Sequence, residues 1–465
     1  MILNPTSGGS ASVAAAVRAV EVKSGETVNA GQFVQVQREG VTVPTFDGVL
    51  TFPAERTAIC ALSETKLVAF YATTENGMYN LYATVAEKEN GAWTEGVPVL
   101  VNCEETGQGY GAYTPVTAVK VSSDIVIVDT SQRESGIYNY WHELVAVKVS
   151  DDNVVTAGNK AQTRTGTSFY WVSSNAILEY AGEHNALFHC GFTENYQVAE
   201  SDRSGRKIIG VTVDPTTLEL KVGSAYNYLS DWINSNSAVC RYANAVHLSD
   251  NRLLFAAAYQ EAQTASSSAV YYRIKIAVVA VNEGGVSILS TKTTATTAGL
   301  TDSDMPCLFK VDSSNILMLQ NKVCWKIVLA EDKISTFTAI DAATVAPTIT
   351  DNPTLKVQVD DTTTMYIWNA STYMRAQLFH VTDIDTPVSA DTYIAVSDSL
   401  GNGTDNTAKA TSSGRKIWFL TSNLYLNEAD IVPTEYAYPC YDRIDGVAKT
   451  GGNGGDIINV YVPEA

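Results

Sequence analysis

A chain of 465 residues can build one very large core or two to three ordinary ones, and 45% hydrophobic residues supply the material to bury. Its 31 Lys and Arg stand against 50 Asp and Glu, a formal charge of -19, so no basic tract offsets repulsion from phosphates and a general nucleic-acid surface is excluded. No window holds eighteen uncharged apolar residues, and the first twenty lack a basic leader followed by an apolar run, so neither membrane insertion nor a secretory signal is expected.

Residues 1–44 open with a Gly-Ser segment and an Ala-rich stretch, then short extended pieces at Ala19–Lys23, Gly31–Gln37 and Val41–Pro44. They are expected to be an arm and short β segment that serve attachment or ring closure. From residue 45 the chain settles into a repeat, a pair of short apolar strands around a tight polar turn. The first copy is Ile59–Leu62, the turn Ser63-Glu-Thr-Lys66, and Leu67–Tyr71. Further turns fall at Ser122-Ser-Asp124, Gly182-Glu-His184, Ser249-Asp-Asn251, Asp312-Ser-Ser314, Asp361-Thr-Thr363 and, in a degenerate copy, Ser412-Ser-Gly414. A third strand follows a longer polar loop in most copies, as in Met78–Val85, Trp141–Val147, Arg206–Val213 and Tyr271–Val278, and an edge-like strand such as Val286–Leu289 completes the unit.

Four short strands every roughly sixty residues predict an all-β fold, a β-propeller of seven four-stranded blades over residues 45–440, with six as the fallback if the last copy is only a terminal module. A sandwich gives no reason for so many copies, and a parallel β-helix repeats at about half this length. Residues 441–465 read as a Gly-rich β-hairpin, again for attachment or ring closure.

The seven cysteines show no C-x-x-C pair and are expected to be mostly buried thiols, with Cys307 and Cys324 spaced to meet across neighbouring strands. The five histidines are scattered, Asp302-Ser-Asp304 and Asp383-Ile-Asp385 lack the Gly and terminal Glu of a calcium loop, and Gly451–Gly455 has no Lys after it. No metal, cofactor or catalytic residue is therefore assigned, and a non-enzymatic protein is expected. A pair of acid–base carboxylates from distant strands is the one arrangement such a reading leaves open. In a propeller the loops from second to third strand and from one blade to the next share a face. These loops are the long ones, and they carry Tyr110, Tyr113, Tyr140, Tyr226, Tyr228 and Trp232 among Gly, Ser, Asn and Asp. Rings of this kind stack on sugars while neighbouring polar groups bind hydroxyls, so the six are the candidate ligand-binding residues, for a neutral or weakly basic glycan.

The segment Gly446-Val-Ala-Lys-Thr-Gly-Gly-Asn-Gly-Gly-Asp-Ile-Ile-Asn-Val-Tyr-Val-Pro463 resembles a short segment common in bacteriophage and prophage structural proteins, and Glu26–Val36 resembles it more loosely. That resemblance implies a tail-associated virion protein, assembled in a host cytoplasm, with other virion proteins as partners and a host-surface glycan or protein as receptor. The alternatives are a purely structural capsid or tail decoration protein, a bacterial lectin-like propeller, and a glycan-degrading enzyme.

Overall fold

A computed structural model describes residues 15–23, 25–42, 47–51, 57–75, 78–103, 114–133, 140–163, 171–172, 177–193, 204–227, 243–261, 271–283, 285–294, 306–320, 323–340, 353–358, 363–370, 373–381, 383–386, 388–390, 394–398, 410–414, 416–420, 425–430, 432–439 and 446–463. Among them every regular element is a β-strand, and no helix is long and apolar enough to cross a membrane. The chain divides into two units, residues 45–430 and a second made of residues 1–44 with 431–465.

The larger unit is a series of antiparallel sheets, seven among the described residues, most of them four strands deep. The first runs Thr57–Ser63, Lys66–Glu75, Met78–Glu89 and Ala92–Glu95, and the second Thr114–Lys120, Ile125–Arg133, Tyr140–Val149 and Val155–Ala157. The third is led by Ile177–Tyr180, Asn185–Thr193 and Ser204–Val213, the fourth by Ala243–Ser249, Arg252–Glu261, Tyr271–Asn282 and Gly285–Thr293. The fifth runs Cys307–Lys310, Asn315–Gln320, Val323–Ala330 and Lys333–Ile340, and the sixth opens with Pro353–Gln358, Thr363–Ala370 and Tyr373–His380. In the seventh, Ala410–Ser413, Lys416–Leu420 and Tyr425–Asp430 are completed by Asp47–Thr51 from the start of the unit. The repeated hairpins of the sequence are thus the first two strands of each sheet.

Burial changes along each sheet. Asn315–Gln320 is buried at every position but its first, whereas the outermost Gly285–Thr293 alternates between exposed and half-buried residues. A run buried on both sides needs a cover on both sides. Here the cover is the neighbouring sheet: separate apolar clusters lie between the first and second, second and third, third and fourth, fourth and fifth, fifth and sixth, and seventh and first sheets. The first strands lie side by side accordingly, Thr57–Ser63 between Ala410–Ser413 and Thr114–Lys120, and Thr114–Lys120 next to Ile177–Tyr180.

Polar details fix how sheet meets sheet. The first two strands slip register at Ala61/Ser63 and at His247/Ser249, so Leu62 and Leu248 are bulged. Their carbonyls accept from the next sheet instead, Lys120 Nζ to Leu62 O at 2.9 Å and Lys310 Nζ to Leu248 O at 2.6 Å. Burial pulls the Lys310 ammonium below its usual pKa, with Asp312 opposing. Gly182, at φ +104, brings its Cα so close to the fourth sheet that an added Cβ would sit 2.2 Å from Asp250 O. Between the seventh and first sheets, Glu428 is the hub: it accepts from Lys88 Nζ at 2.6 Å, Lys416 Nζ at 3.2 Å, Trp418 Nε1 at 3.3 Å and Trp93 Nε1. Trp93 and Trp418 meet edge to face at 6.0 Å.

Cys307 and Cys324 are both free and buried, which corrects the expectation that they meet. Each is opposite Leu319, one on either side of it, so a whole strand intervenes and they stand roughly 10 Å apart, beyond the ~7 Å a disulfide spans.

The smaller unit is a closed barrel in the order Ala15–Val22, Val432–Pro439, Phe33–Thr42, Gly446–Ala448, Ile457–Pro463, with a clasp of Thr27–Val28 on Gly452–Asn453. Its glycines are placed by the turn. A Cβ at Gly452 would lie 2.8 Å from both Asp456 Cβ and Ile458 Cγ2, and Gly455 has φ +92. The Gly-rich pattern that resembles phage segments is thereby accounted for by local backbone geometry.

Two consequences are measurable. Burial alone would raise the Glu428 pKa, but the hydrogen bonds from Lys88, Trp93 and Lys416 outweigh it and hold the carboxyl below its usual value. Its stabilisation is present above the unfolded pKa of ~4.3 and is lost as pH falls through the lower folded value. Glu428→Gln should cost about 3 kcal/mol in urea unfolding at neutral pH, and the gap to wild type should narrow in acid. Gly182→Ala should cost at least about 2 kcal/mol by the same measurement, because it combines left-handed strain with a clash against fixed backbone.

Candidate functional site

The first strands of the third to sixth sheets interrupt their apolar runs with polar residues at Glu179, Asn244, Cys307 and Lys356. These groups converge. Lys356 is directly opposite Tyr366 in the sixth sheet's first hairpin, and the Tyr366 ring is wedged edge-on against Phe309 at 5.6 Å and Phe379 at 5.5 Å. Its phenol donates to Leu308 O of the fifth sheet at 3.3 Å and accepts from Asn244 Nδ2 of the fourth at 3.3 Å. One side chain thus joins three sheets, reaching from the second strand of the sixth to the first strands of the fifth and fourth. On the third sheet, His189 Nε2 lies 3.8 Å from Glu179 Oε1, and its ring meets Phe255 of the fourth at 5.0 Å.

Electrostatics sort these groups by role. Burial pushes the Cys307 thiol up to about 12, against weaker opposing effects of Tyr366 and Lys356, so it is no nucleophile at neutral pH. Burial, reinforced by Cys307, holds the Tyr366 phenol well above its usual value, which makes it a fixed hydrogen-bond donor. Burial pulls the Lys356 ammonium down, while Glu179 and Cys307 act to raise it and Lys310 to lower it. Asn244, Cys307, His189 and Tyr366 are buried, but the Glu179 side chain is 27% exposed and Lys356 is also partly exposed. The two charged groups are therefore surrounded by protein yet still reached by solvent, with neutral donors behind them.

A second polar cluster lies on the second sheet. His142 Nδ1 is 2.8 Å from Asp129 Oδ2, both side chains almost fully buried, while His142 Nε2 has no hydrogen-bond partner among the described residues. Burial raises the Asp129 pKa, His142 opposes this and Glu143 adds to it. Glu143 accepts from Gln162 Nε2 at 3.0 Å and Asn102 Nδ2 at 3.3 Å. The His142 ring rests on Phe188 at 5.0 Å, so this pair is built into the seam between the second and third sheets.

Of the six aromatic residues selected from the sequence, Tyr110, Tyr113, Tyr228 and Trp232 lie outside the described residues. Tyr140 opens the third strand of the second sheet, paired with Arg133, and only its backbone is described. Tyr226 is 44% exposed and pairs with Ile208 at the edge of the third sheet. The sequence reading missed Glu179, His189, Asn244, Lys356 and Tyr366, although a charge within an apolar first strand, as in Ala-Ile-Leu-Glu179-Tyr, was a visible anomaly. Of the two acidic pieces, Asp302–Asp304 lies outside the described residues, and Asp383 closes a turn: its Oδ1 accepts from the amides of Asp385 at 2.7 Å and Thr386 at 2.8 Å. Among the described residues no group of three or more His, Cys, Asp or Glu could hold a metal ion.

No protein-family model matches the chain, and no curated protein matches it. Solved structures do. A polysaccharide lyase of family PL25, an ulvan lyase, shares 13% identity over 88% of this chain and 97% of its own, with a TM-score of 0.41. An α-L-arabinofuranosidase from Fusarium graminearum shares 12% over 80% of this chain and 98% of its own, TM-score 0.35. The WD40 domain of SCAP from fission yeast shares 8% over 93% and 98%, TM-score 0.32. Such distances transfer no residue role and no substrate. They nevertheless correct two expectations: these neighbours are carbohydrate-active enzymes and a WD40 domain rather than phage proteins, so the virion, tail and receptor-binding assignment is withdrawn, and so is the assignment as a non-enzyme.

Removing the Tyr366 hydroxyl tests the convergence directly. Tyr366→Phe leaves Leu308 O and Asn244 without this partner and should cost about 1–2 kcal/mol. Because the folded phenol keeps its proton, its contribution is intact below the unfolded pKa of ~10 and is lost as pH rises above it. Urea unfolding at increasing pH should therefore show wild type losing more stability in alkali than Tyr366→Phe.

Proposed function

We propose that residues 45–430 form a seven-bladed β-propeller and that the protein acts on a glycan at the cluster around its axis. The sheet order and the side-by-side first strands support the architecture. The observation that carries the function is the Tyr366 phenol of the sixth sheet bonded to Asn244 of the fourth, with Glu179 and Lys356 partly open to solvent beside them. A scaffold would fill this region with apolar side chains. A hydroxyl-rich ligand instead needs fixed neutral donors and acceptors, which Asn244 and Tyr366 supply. Glu179, coupled to His189, is the group placed to take or give a proton at a sugar oxygen or carbon, since among the described residues it joins a carboxylate, an imidazole neighbour and solvent access.

Incubation with a panel of polysaccharides, read by release of reducing or unsaturated ends, is the test. One substrate class should yield product, and Glu179→Gln should slow turnover about 100-fold or more while ligand binding persists. Binding without product from any polysaccharide would make the protein a lectin, and neither binding nor product would remove the glycan reading.

A further inference from the structure

Resting on that reading of the axial cluster, we infer that its ligand is an acidic saccharide, one whose carboxylate is taken by the ammonium of Lys356. The inference starts from how the other first-strand lysines are used. Lys120 and Lys310 spend their ammonium groups on the bulged carbonyls of Leu62 and Leu248. On second and third strands the lysines are paired as well, Lys88 and Lys416 with Glu428 and Lys326 with Asp385. Lys356 has no such anchor: among the described residues its ammonium makes neither a hydrogen bond nor an ion pair, and only the longer-range influence of Glu179, Cys307 and Lys310 reaches it.

A cation in that position is partly desolvated without being paired among the described residues, which is unfavourable until an anion arrives. Nearby Glu179 does not complete it, since that carboxylate has His189 beside it. Lys310 adds a second positive charge to the same neighbourhood. The chain's charge of -19 opposes a polyanion at a distance, but that repulsion is screened beyond about 10 Å at 0.1 M salt, so at contact the nearby charges decide, Lys356 and Lys310 against Glu179. Around Lys356 the remaining groups are neutral and suited to hydroxyls: Asn244, Tyr366 and the Cys307 thiol. One cation amid neutral hydrogen-bonding groups matches a sugar ring that carries one carboxylate.

Calorimetric titration of the full chain with oligogalacturonate, and with a neutral galactose oligomer of the same length, tests this. The uronate should bind at least tenfold more tightly, and its affinity should fall with added NaCl. Lys356→Met should abolish both the preference and the salt dependence, and Lys356→Arg should keep them. Equal affinity for both oligomers, unchanged in Lys356→Met, would overturn the acidic-ligand inference and leave the glycan reading standing. A second readout does not depend on any oligosaccharide or variant. In wild type carrying 13C-methylated lysines, free glucuronate should move the Lys356 resonance and raise its titration midpoint, as an anion beside an ammonium must. Sulfate serves as a parallel arm, and a shift with sulfate but not with glucuronate would reassign the anion to a sulfate ester and overturn the carboxylate. No shift with either anion would sink the inference, whereas a shift without binding of either oligomer would sustain the anion site and sink the glycan reading.

Discussion

The strands nearest the start of each sheet in residues 45–430 are apolar on both faces, and everything else follows from the need to cover them twice. A four-stranded sheet on its own leaves both such faces in water, at roughly 25 cal/mol for each Å² of apolar area. The fully buried Trp418, Phe70, Phe188, Phe255 and Phe309 each belong to a layer between two sheets and to no layer within one. Stability is therefore a property of neighbouring pairs, with each sheet serving as half of two cores.

Stacking by apolar faces alone is non-directional, and the polar contacts supply the register. Lys120 and Lys310 reach carbonyls that bulges have released from their own ladders. The bulge and the lysine thus depend on each other, since the carbonyl would be unsatisfied without the amine and the partly buried amine would be unpaired without the carbonyl. Glu428 does the same with two ammonium groups and two indoles at the seam between the first and last sheets. The same crowding that closes these seams also brings Glu179, Asn244, Lys356 and Tyr366 within reach of one another.

The hairpins were legible because tight turns and period-two or fully apolar strands are local signals. The Ser63–Lys66, Ser122–Asp124 and Ser249–Asn251 turns stand where the sequence puts them. The cluster around Tyr366 was not legible as a site, because Glu179, Asn244 and Lys356 belong to sheets whose first strands are far apart in the chain, and no local pattern records that the sheets bring them together. Long loops rich in Tyr drew attention to the aromatic residues instead. The C-terminal glycines have a local physical role: Gly452 leaves room for Asp456 and Ile458, and Gly455 takes a left-handed backbone in the turn of the clasp.

The strand Asp47–Thr51 finishes a sheet whose other members are Ala410–Ser413, Lys416–Leu420 and Tyr425–Asp430. During synthesis it leaves the ribosome among the earliest parts of this unit and must wait, with an unsatisfied edge, until its partner has been made. The six sheets between can assemble in order of translation, each on the one before. Closure is the step of highest contact order, and a nascent chain halted before residue 425 presents two open ends, the outer faces of its first and latest sheets, to chaperones or to other chains.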